Sequence, residues 1–227
     1  PPLMKDLNPL KGKYYIEELV AQGEHQQQDF KFLISDARKI ARSISAFANR
    51  DGGRLLIGVK DNGTIAGVRN EEDIYVVEQA AARYCRPPQQ IEFTAFNAGT
   101  GTLVIRASIA KAGRRPVMAQ DTDRKWKAYY RIADENIVAH PLMVRAWQLR
   151  ESPGANGTLF SLSDNESNLL RLLDSSDRPL SAREIAISLH MPAVTADNLI
   201  VRMASLGIVD FIYNGNGEFV IARTRDD

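Results

Sequence analysis

The chain has 227 residues, 44% hydrophobic and 25% charged, with a formal net charge of +1. That composition suits one large globular domain or two modest ones, and no apolar run reaches the roughly 18–20 residues of a membrane helix. Its one cysteine, Cys85, excludes an internal disulfide and a cysteine-built zinc cluster within one chain; with no secretory-signal pattern at the start, the expected location is cytoplasmic.

In chain order, a helix over 14–22 stops at Gly23 and a strand follows over 28–32. Ser35 or Asp36 caps a helix running to about Asn49, with Ile40, Ile44, Phe47 and Ala48 on its buried stripe. Arg38, Lys39 and Arg42 fall mostly off that stripe. A strand over 55–59 turns at Asp61-Asn62-Gly63 into 64–68. A helix over 71–84 ends before Pro87 and Pro88, and segments 91–96 and 102–109 pair as a hairpin. A strand over 127–132 leads to a helix from Pro141. Helices and strands alternate without strict βαβ repetition, so the class is α+β with a mixed sheet.

Residues 151–158 are small, polar and turn-rich and read as a linker, dividing the chain into domains 1–150 and 159–227. Beyond it, Ser163 and Asp164 cap a helix bearing Leu169, Leu170 and Leu173. Ser181 and Glu184 fit a capping box opening a helix to His190, Pro192 breaks it, and a third helix over 195–206 closes at Gly207. A hairpin over 208–213 and 218–222 completes the order of a winged helix-turn-helix module.

The charge divides unevenly. Residues 159–227 carry six Arg or Lys against ten Asp or Glu, whereas 1–158 carry 23 against 18. The third helix of the tail offers Thr195, Asn198, Arg202 and Ser205 beside Asp197, and the hairpin tip has no Lys or Arg. A DNA reader draws much of its affinity from phosphate contacts, so the acidic module fits dimerisation or protein binding instead, which leaves DNA or RNA to the first domain. The basic first domain is the better polyanion partner. Within it Lys111, Arg114, Arg115, Arg124, Lys125, Lys127 and Arg131 interleave with Trp126, Tyr129 and Tyr130. That is the inventory for phosphate contact and base stacking; a solvated hairpin with its aromatics inward is the equal alternative.

Gly53, Gly58 and Lys60 imitate a phosphate loop and fail it, because Lys must follow the second Gly directly and the loop must open a helix. ATP hydrolysis is excluded on that ground. His25, His140 and His190 have no zinc spacing, and Cys85 reads as a packed thiol.

Glu24, Asp29-Phe30-Lys31, Ala46-Phe47-Ala48-Asn49, Gly52-Gly53, Leu55, Ile57-Gly58-Val59 and Asp61 together resemble the Schlafen AlbA-like domain, also labelled a divergent ATPase domain. The strand and turn from Lys127 to Asn136 are similar to that family's closing segment. The resemblance implies a nucleic-acid-binding fold. From Schlafen endoribonucleases it also implies a metal-binding, catalytic triad of Glu24, Asp29 and Asp61. Here Asp29 is one methylene shorter than the family's glutamate, and one domain copy stands where Schlafen nucleases pair two. A homodimer would restore that pairing.

Three readings follow. The first is a nucleic-acid-binding protein, a DNA-binding transcription regulator, with Lys31, Arg38, Arg42, Arg114, Arg115, Lys125, Lys127 and Arg131 on phosphates and no cofactor needed. The second is an endoribonuclease holding Mg²⁺ or Mn²⁺ on Glu24, Asp29 and Asp61, since hard oxygen ligands suit those ions. Lys31, two residues from Asp29 on the same strand face, would touch phosphate or neutralise the acid. The third is a protein-interaction module acting through the winged helix. The sequence leaves DNA or RNA, the target sequence, the oligomeric state and any small ligand open.

Overall fold

In the computed structural model, which describes residues 7–152 and 162–224, the chain divides after Ala139 into units Pro1–Ala139 and His140–Asp227. The first unit runs β1 (Leu10–Lys11), α1 (Lys13–Ala21), β2 (Gln28–Lys31), α2 (Ala37–Ala48), β3 (Gly53–Ile57), α3 (Glu72–Arg83), β4 (Cys85–Arg86), β5 (Ile91–Gly99), β6 (Thr102–Ile109), β7 (Met118–Gln120), β8 (Trp126–Ile132) and β9 (Glu135–Val138). Its mixed five-stranded sheet has the order β1-β5-β6-β3-β2, and a four-stranded sheet has the order β4-β7-β8-β9.

The interior strand β3, between β6 and β2, shows why the larger sheet is covered on both sides. Leu55, Leu56 and Ile57 are all fully buried. Leu55 and Ile57 join the cluster containing Ile40, Ile44 and Phe47 of α2 and Ile74 and Val77 of α3. Leu56 faces the other way, onto Ile16 and Leu19 of α1 with Phe30 and Phe96. A continuous apolar run is what a strand buried on both faces requires.

α2 is buried beyond the single stripe that the sequence suggests: Ala41, Ser43, Ser45 and Ala46 are buried along with Ile40, Ile44, Phe47 and Ala48. The helix packs on β7, β8 and β9 as well as on α3. Small side chains allow the close approach, and each buried hydroxyl is satisfied. Ser45 Oγ donates to the Val117 carbonyl at 2.8 Å and accepts from Tyr129 N at 3.0 Å. Asp36 supplies the expected cap, accepting from Arg38 N at 2.9 Å.

The double glycine after α2 is set by sterics. Gly52 has φ +71° and a Cβ there would lie 2.8 Å from the Ile109 carbonyl oxygen; a Cβ on Gly53 would lie 2.4 Å from the Phe47 ring. The segment expected to run back from Asp61-Asn62-Gly63 makes only a Val59–Ile65 bridge, not a strand.

The second unit contains α4 (Pro141–Arg150), α5 (Asp164–Ser175), α6 (Ala182–Ser188), α7 (Ala193–Ser205) and the antiparallel pair β10 (Val209–Tyr213) and β11 (Phe219–Arg223). α4, placed by the sequence with the first domain, packs against α7, with Arg145 Nη2 donating to Asn198 Oδ1 at 2.6 Å. Of the linker over 151–158, Glu151 closes α4 as its C-cap, and residues 153–158 lie outside the described residues. Capping boxes open α5 at Ser163/Glu166 and α6 at Ser181/Glu184. α6 and α7 each begin two residues earlier than periodicity suggests: at α6 the Ser181 cap sets the start, and α7 starts directly after Pro192. Leu169, Ile185, Ile200 and Met203 form the buried centre beneath Val209 and Ile221. Among the described residues no helix is long and apolar enough to cross a membrane.

Candidate nucleic-acid interface

Strand alternation places Lys127, Tyr129 and Arg131 on one side of β8, and each serves a carboxylate. At one end lies Asp121, just past β7. Lys127 Nζ pairs with its Oδ2 at 2.8 Å, Tyr129 Oη donates to the same oxygen at 2.7 Å, and Arg42 of α2 pairs with Oδ1. Burial works to raise the Asp121 pKa. Hydrogen bonds from Lys127, Tyr129 and Thr122 N, with the Arg42 charge, hold it well below the usual carboxylate range. Lys127 also reaches Asp123 at 3.0 Å, and these two acids raise its own pKa. Burial and Asp121 push the Tyr129 phenol up to about 12.

Around this centre the aromatic rings are covered by cations. The Arg86 guanidinium lies 4.0 Å from the Trp126 ring centroid and that of Arg38 lies 4.6 Å from Tyr84. Gln120 N donates to the Tyr84 carbonyl at 2.9 Å, tying the two stacks to one sheet end. Arg38 and Arg42 each keep a buried Nε without a hydrogen-bond partner among the described residues. Arg124 and Lys125 stand exposed on the turn between β7 and β8. The rim therefore sets Arg38, Arg42, Arg86, Arg124, Lys125 and Lys127 against Asp121 and Asp123.

At the other end of β8 the chemistry turns inward. Arg131, expected on phosphate, is 1% exposed and therefore cannot meet a polyanion. Its guanidinium donates to Asn136 Oδ1 at 2.9 Å and to the Gln28 carbonyl at 3.1 Å, lies 4.9 Å from the Phe47 ring, and stands 3.7 Å from Asp29. Asp29, 4% exposed, also pairs with Lys31 at 2.8 Å and accepts from Ser43 Oγ at 3.3 Å. Of the two roles open to Lys31, the structure shows neutralisation of its own acid.

Glu24 joins this centre. Its Oε1 accepts from Phe30 N at 2.8 Å. Burial, and then a hydrogen bond with Asp29, push Glu24 up to about 7. Burial also works to raise Asp29, but Lys31, the hydrogen bonds from Glu24 and Lys31, and Arg131 hold it below its ordinary value. Below about pH 7, Glu24 is the proton-bearing partner of the Asp29 carboxylate. Asp61 is exposed, and among the described residues no group of three or more His, Cys, Asp or Glu is placed to hold a metal ion. Glu24 and Asp29 are brought together; Asp61 does not complete a metal-binding group with them.

Arg115 Nη1 donates to the Asn49 carbonyl at 3.2 Å, and Arg114 is exposed. Asn49, part of the motif that carried the resemblance, is a latch. Its side-chain amide donates to the Val117 and Tyr129 carbonyls at 2.8 Å each and accepts from Val117 N at 2.7 Å. Cys85 is buried, with burial pushing its thiol up to about 12, and packs as an inert side chain. Sequence reasoning missed Arg86, because Trp126 lies forty residues away; an arginine beside the Pro87-Pro88 stop was the only hint.

A two-sheet α+β domain wrapped around a small-residue helix, with a cation-capped aromatic rim, defines the class. Residues 24–140, just over half of the chain, match the family described as Schlafen, AlbA_2, and the chain belongs to that family. No curated protein matches it significantly. Among solved structures, the DIP2311 protein from Corynebacterium diphtheriae is similar at 18% identity and a TM-score of 0.44, over 86% of this chain and 34% of that one. The chain thus spans about a third of that protein's length.

Proposed function

We propose that this protein binds nucleic acid through the rim around Asp121 and acts in the cytoplasm as a DNA-binding regulator. Family membership supports the reading, and one observation carries it: around the β7–β8 turn Arg38, Arg42, Arg86, Arg124, Lys125 and Lys127 outnumber Asp121 and Asp123, with Arg86 and Arg38 lying on aromatic rings. Exposed Arg124 and Lys125 would meet phosphates. Trp126, half-buried under Arg86, would offer a face to an unstacked base. The second unit, with the element order of a winged helix-turn-helix, would set the context of binding. Filter binding of duplex and single-stranded probes across a range of salt concentrations tests this. Affinity is expected to fall linearly with salt on logarithmic axes; no salt-dependent binding to any probe overturns it.

A second reading, a metal-dependent endoribonuclease, draws on the contact between Glu24 and Asp29. The donors as arranged do not fit a divalent ion, since Lys31 and Arg131 already neutralise Asp29 and a metal would have to displace them. Structured RNA incubated with Mg²⁺ or Mn²⁺ decides: cleavage abolished by Asp29→Asn and by Asp61→Asn supports the reading, and intact RNA rejects it.

A further inference from the structure

The corner between α6 and α7 is apolar where a nucleic-acid reader would be polar. Ile187 is 64% exposed and Val194 70% exposed. A groove of about 530 Å³ between the helices is floored by Ala186, Ile187, Met191 and Ala193, with Arg183 and Asp197 at its rim. Arg183 and Ile187 are four residues apart on α6, and Ala193 and Asp197 four apart on α7, so each helix contributes one ridge of the groove. The α6 ridge brings the cation and the α7 ridge the carboxylate.

Of the α7 side chains that could read bases, Asn198, Arg202 and Ser205 are engaged within their own unit, Ser205 Oγ donating to the Arg202 carbonyl at 2.7 Å. Asn198 accepts from Arg145 at 2.6 Å, and Arg202 Nε pairs with buried Glu166 at 2.7 Å. The unit from His140 onward carries eight Arg against eleven Asp and Glu, so a polyanion gains little there. An apolar centre flanked by one charge of each sign is, however, complementary to itself across a two-fold axis.

We propose that this face is where two copies of the chain associate. Ile187, Met191 and Val194 of each copy cover the groove of the other, and Arg183 of each copy meets Asp197 of the other. The assembly would present two cationic rims, raising avidity for a polyanion that spans both.

The test is the mass of the full chain in solution, by light scattering and sedimentation, as concentration rises. A patch of a few side chains lies at the small end of interface sizes, so dimer is expected by about 10–100 µM. Ile187→Asp is expected to weaken dimerisation at least ~10-fold, and Arg183→Asp or Asp197→Arg ~10-fold each. The decisive arm mixes the two charge variants, one carrying a mass tag. The Arg183→Asp variant presents an acid at both rim positions and the Asp197→Arg variant a cation at both. The mixture should therefore form heterodimer by native mass spectrometry, while each variant alone stays monomeric. Rescue of this kind cannot come from misfolding. A chain monomeric at every concentration, an Ile187→Asp variant that dimerises as the parent does, or charge variants that fail to pair on mixing overturns the proposal. Probe binding by the separate first-unit rim is scored in its own experiment, so either proposal can fail without the other.

Discussion

Asp29 and Asp121 are each clasped by one arginine and one lysine, and each draws a partner from the same side of β8. At Asp29 the arginine is sealed at 1% exposure and every guanidinium nitrogen works on the fold. At Asp121 the partners Arg42 and Lys127 remain about a third exposed, at 31% and 30%. Identical residue types at period-2 spacing therefore divide into a structural pair and a surface pair. Burial decides which cations count toward a polyanion. A charge lost from the sealed centre leaves a desolvated partner behind, whereas one lost from the rim is replaced by water.

The sharpest way to break this comparison is to truncate both cations. Arg131→Ala removes the guanidinium's bonds to His25, Gln28 and Asn136, leaves a cavity with those acceptors unsatisfied, and leaves the charge of buried Asp29 to Lys31 alone, so a loss of about 3–5 kcal/mol is expected. Lys127→Ala removes a cation that is itself about a third exposed and leaves Asp121 with Arg42, Tyr129 Oη and Thr122 N, so about 1 kcal/mol or less is expected. Urea denaturation of the two variants measures both. Equal losses would mean that the two centres are energetically alike.

Removing the acids separates the centres by function. Asp121→Asn leaves Arg42 without its carboxylate and Lys127 with Asp123 alone, so the rim gains net positive charge. Probe affinity should rise several-fold with a steeper salt dependence, at a stability cost of about 1–2 kcal/mol. Asp29→Asn should cost at least as much stability and leave the salt slope unchanged. A matching change in slope for both variants would place the sealed centre on the binding surface after all.

How much of this could be read in the residues depends on element length. α2, the hairpin of β5 and β6 and the box at Ser181 were legible because each spans several periods or fixes a cap by side-chain chemistry. β1, β4, β7 and β9 are two to four residues long, too short for alternation to show. The inward turn of Arg131 was hidden for a different reason. A run of Lys, Arg and Tyr looks amphipathic whichever face is buried, and only Ser43, Ser45 and Asn49 on the opposing helix hinted that polar side chains were needed inside. The residues carrying the family resemblance, Asn49, Gly52 and Gly53, proved to be folding chemistry, so a specific motif located the fold and not the site.

A smaller effect separates the centres by pH. Glu24 is expected near 4.5 when unfolded and stands at about 7 in the fold, so the native state holds the extra proton between those values. Its contribution is full below about 4.5 and is lost as pH rises through about 7. His25 and His140 work the other way. Burial lowers both, and for His25 Arg54 and Arg131 add to it, so their share of stability grows as pH rises through the usual histidine range. Comparison with Glu24→Gln, which mimics the protonated acid, cancels the histidines. The variant should gain about 1 kcal/mol on the parent between pH 5 and 8, after allowance for solvent screening. A flat difference curve would mean that Glu24 and Asp29 share no proton.

The smallest change tests the rim alone. Lys125 is exposed and its side chain is not among those bonded to Asp121 or Asp123. Lys125→Ala should leave stability within about 0.5 kcal/mol of the parent. If Lys125 meets a phosphate, the slope of log affinity against log salt should fall by about 1 for every probe sequence alike. Arg124→Ala should behave the same way, and the pair should add, because each releases its own counterion. Lys31→Ala is the control: held against Asp29 at 2.8 Å, it should cost stability and leave the slope where it was. A slope that responds to Lys31 and ignores Lys125 would move the polyanion from the β7–β8 turn to the Asp29 centre and exchange the roles of the two clusters.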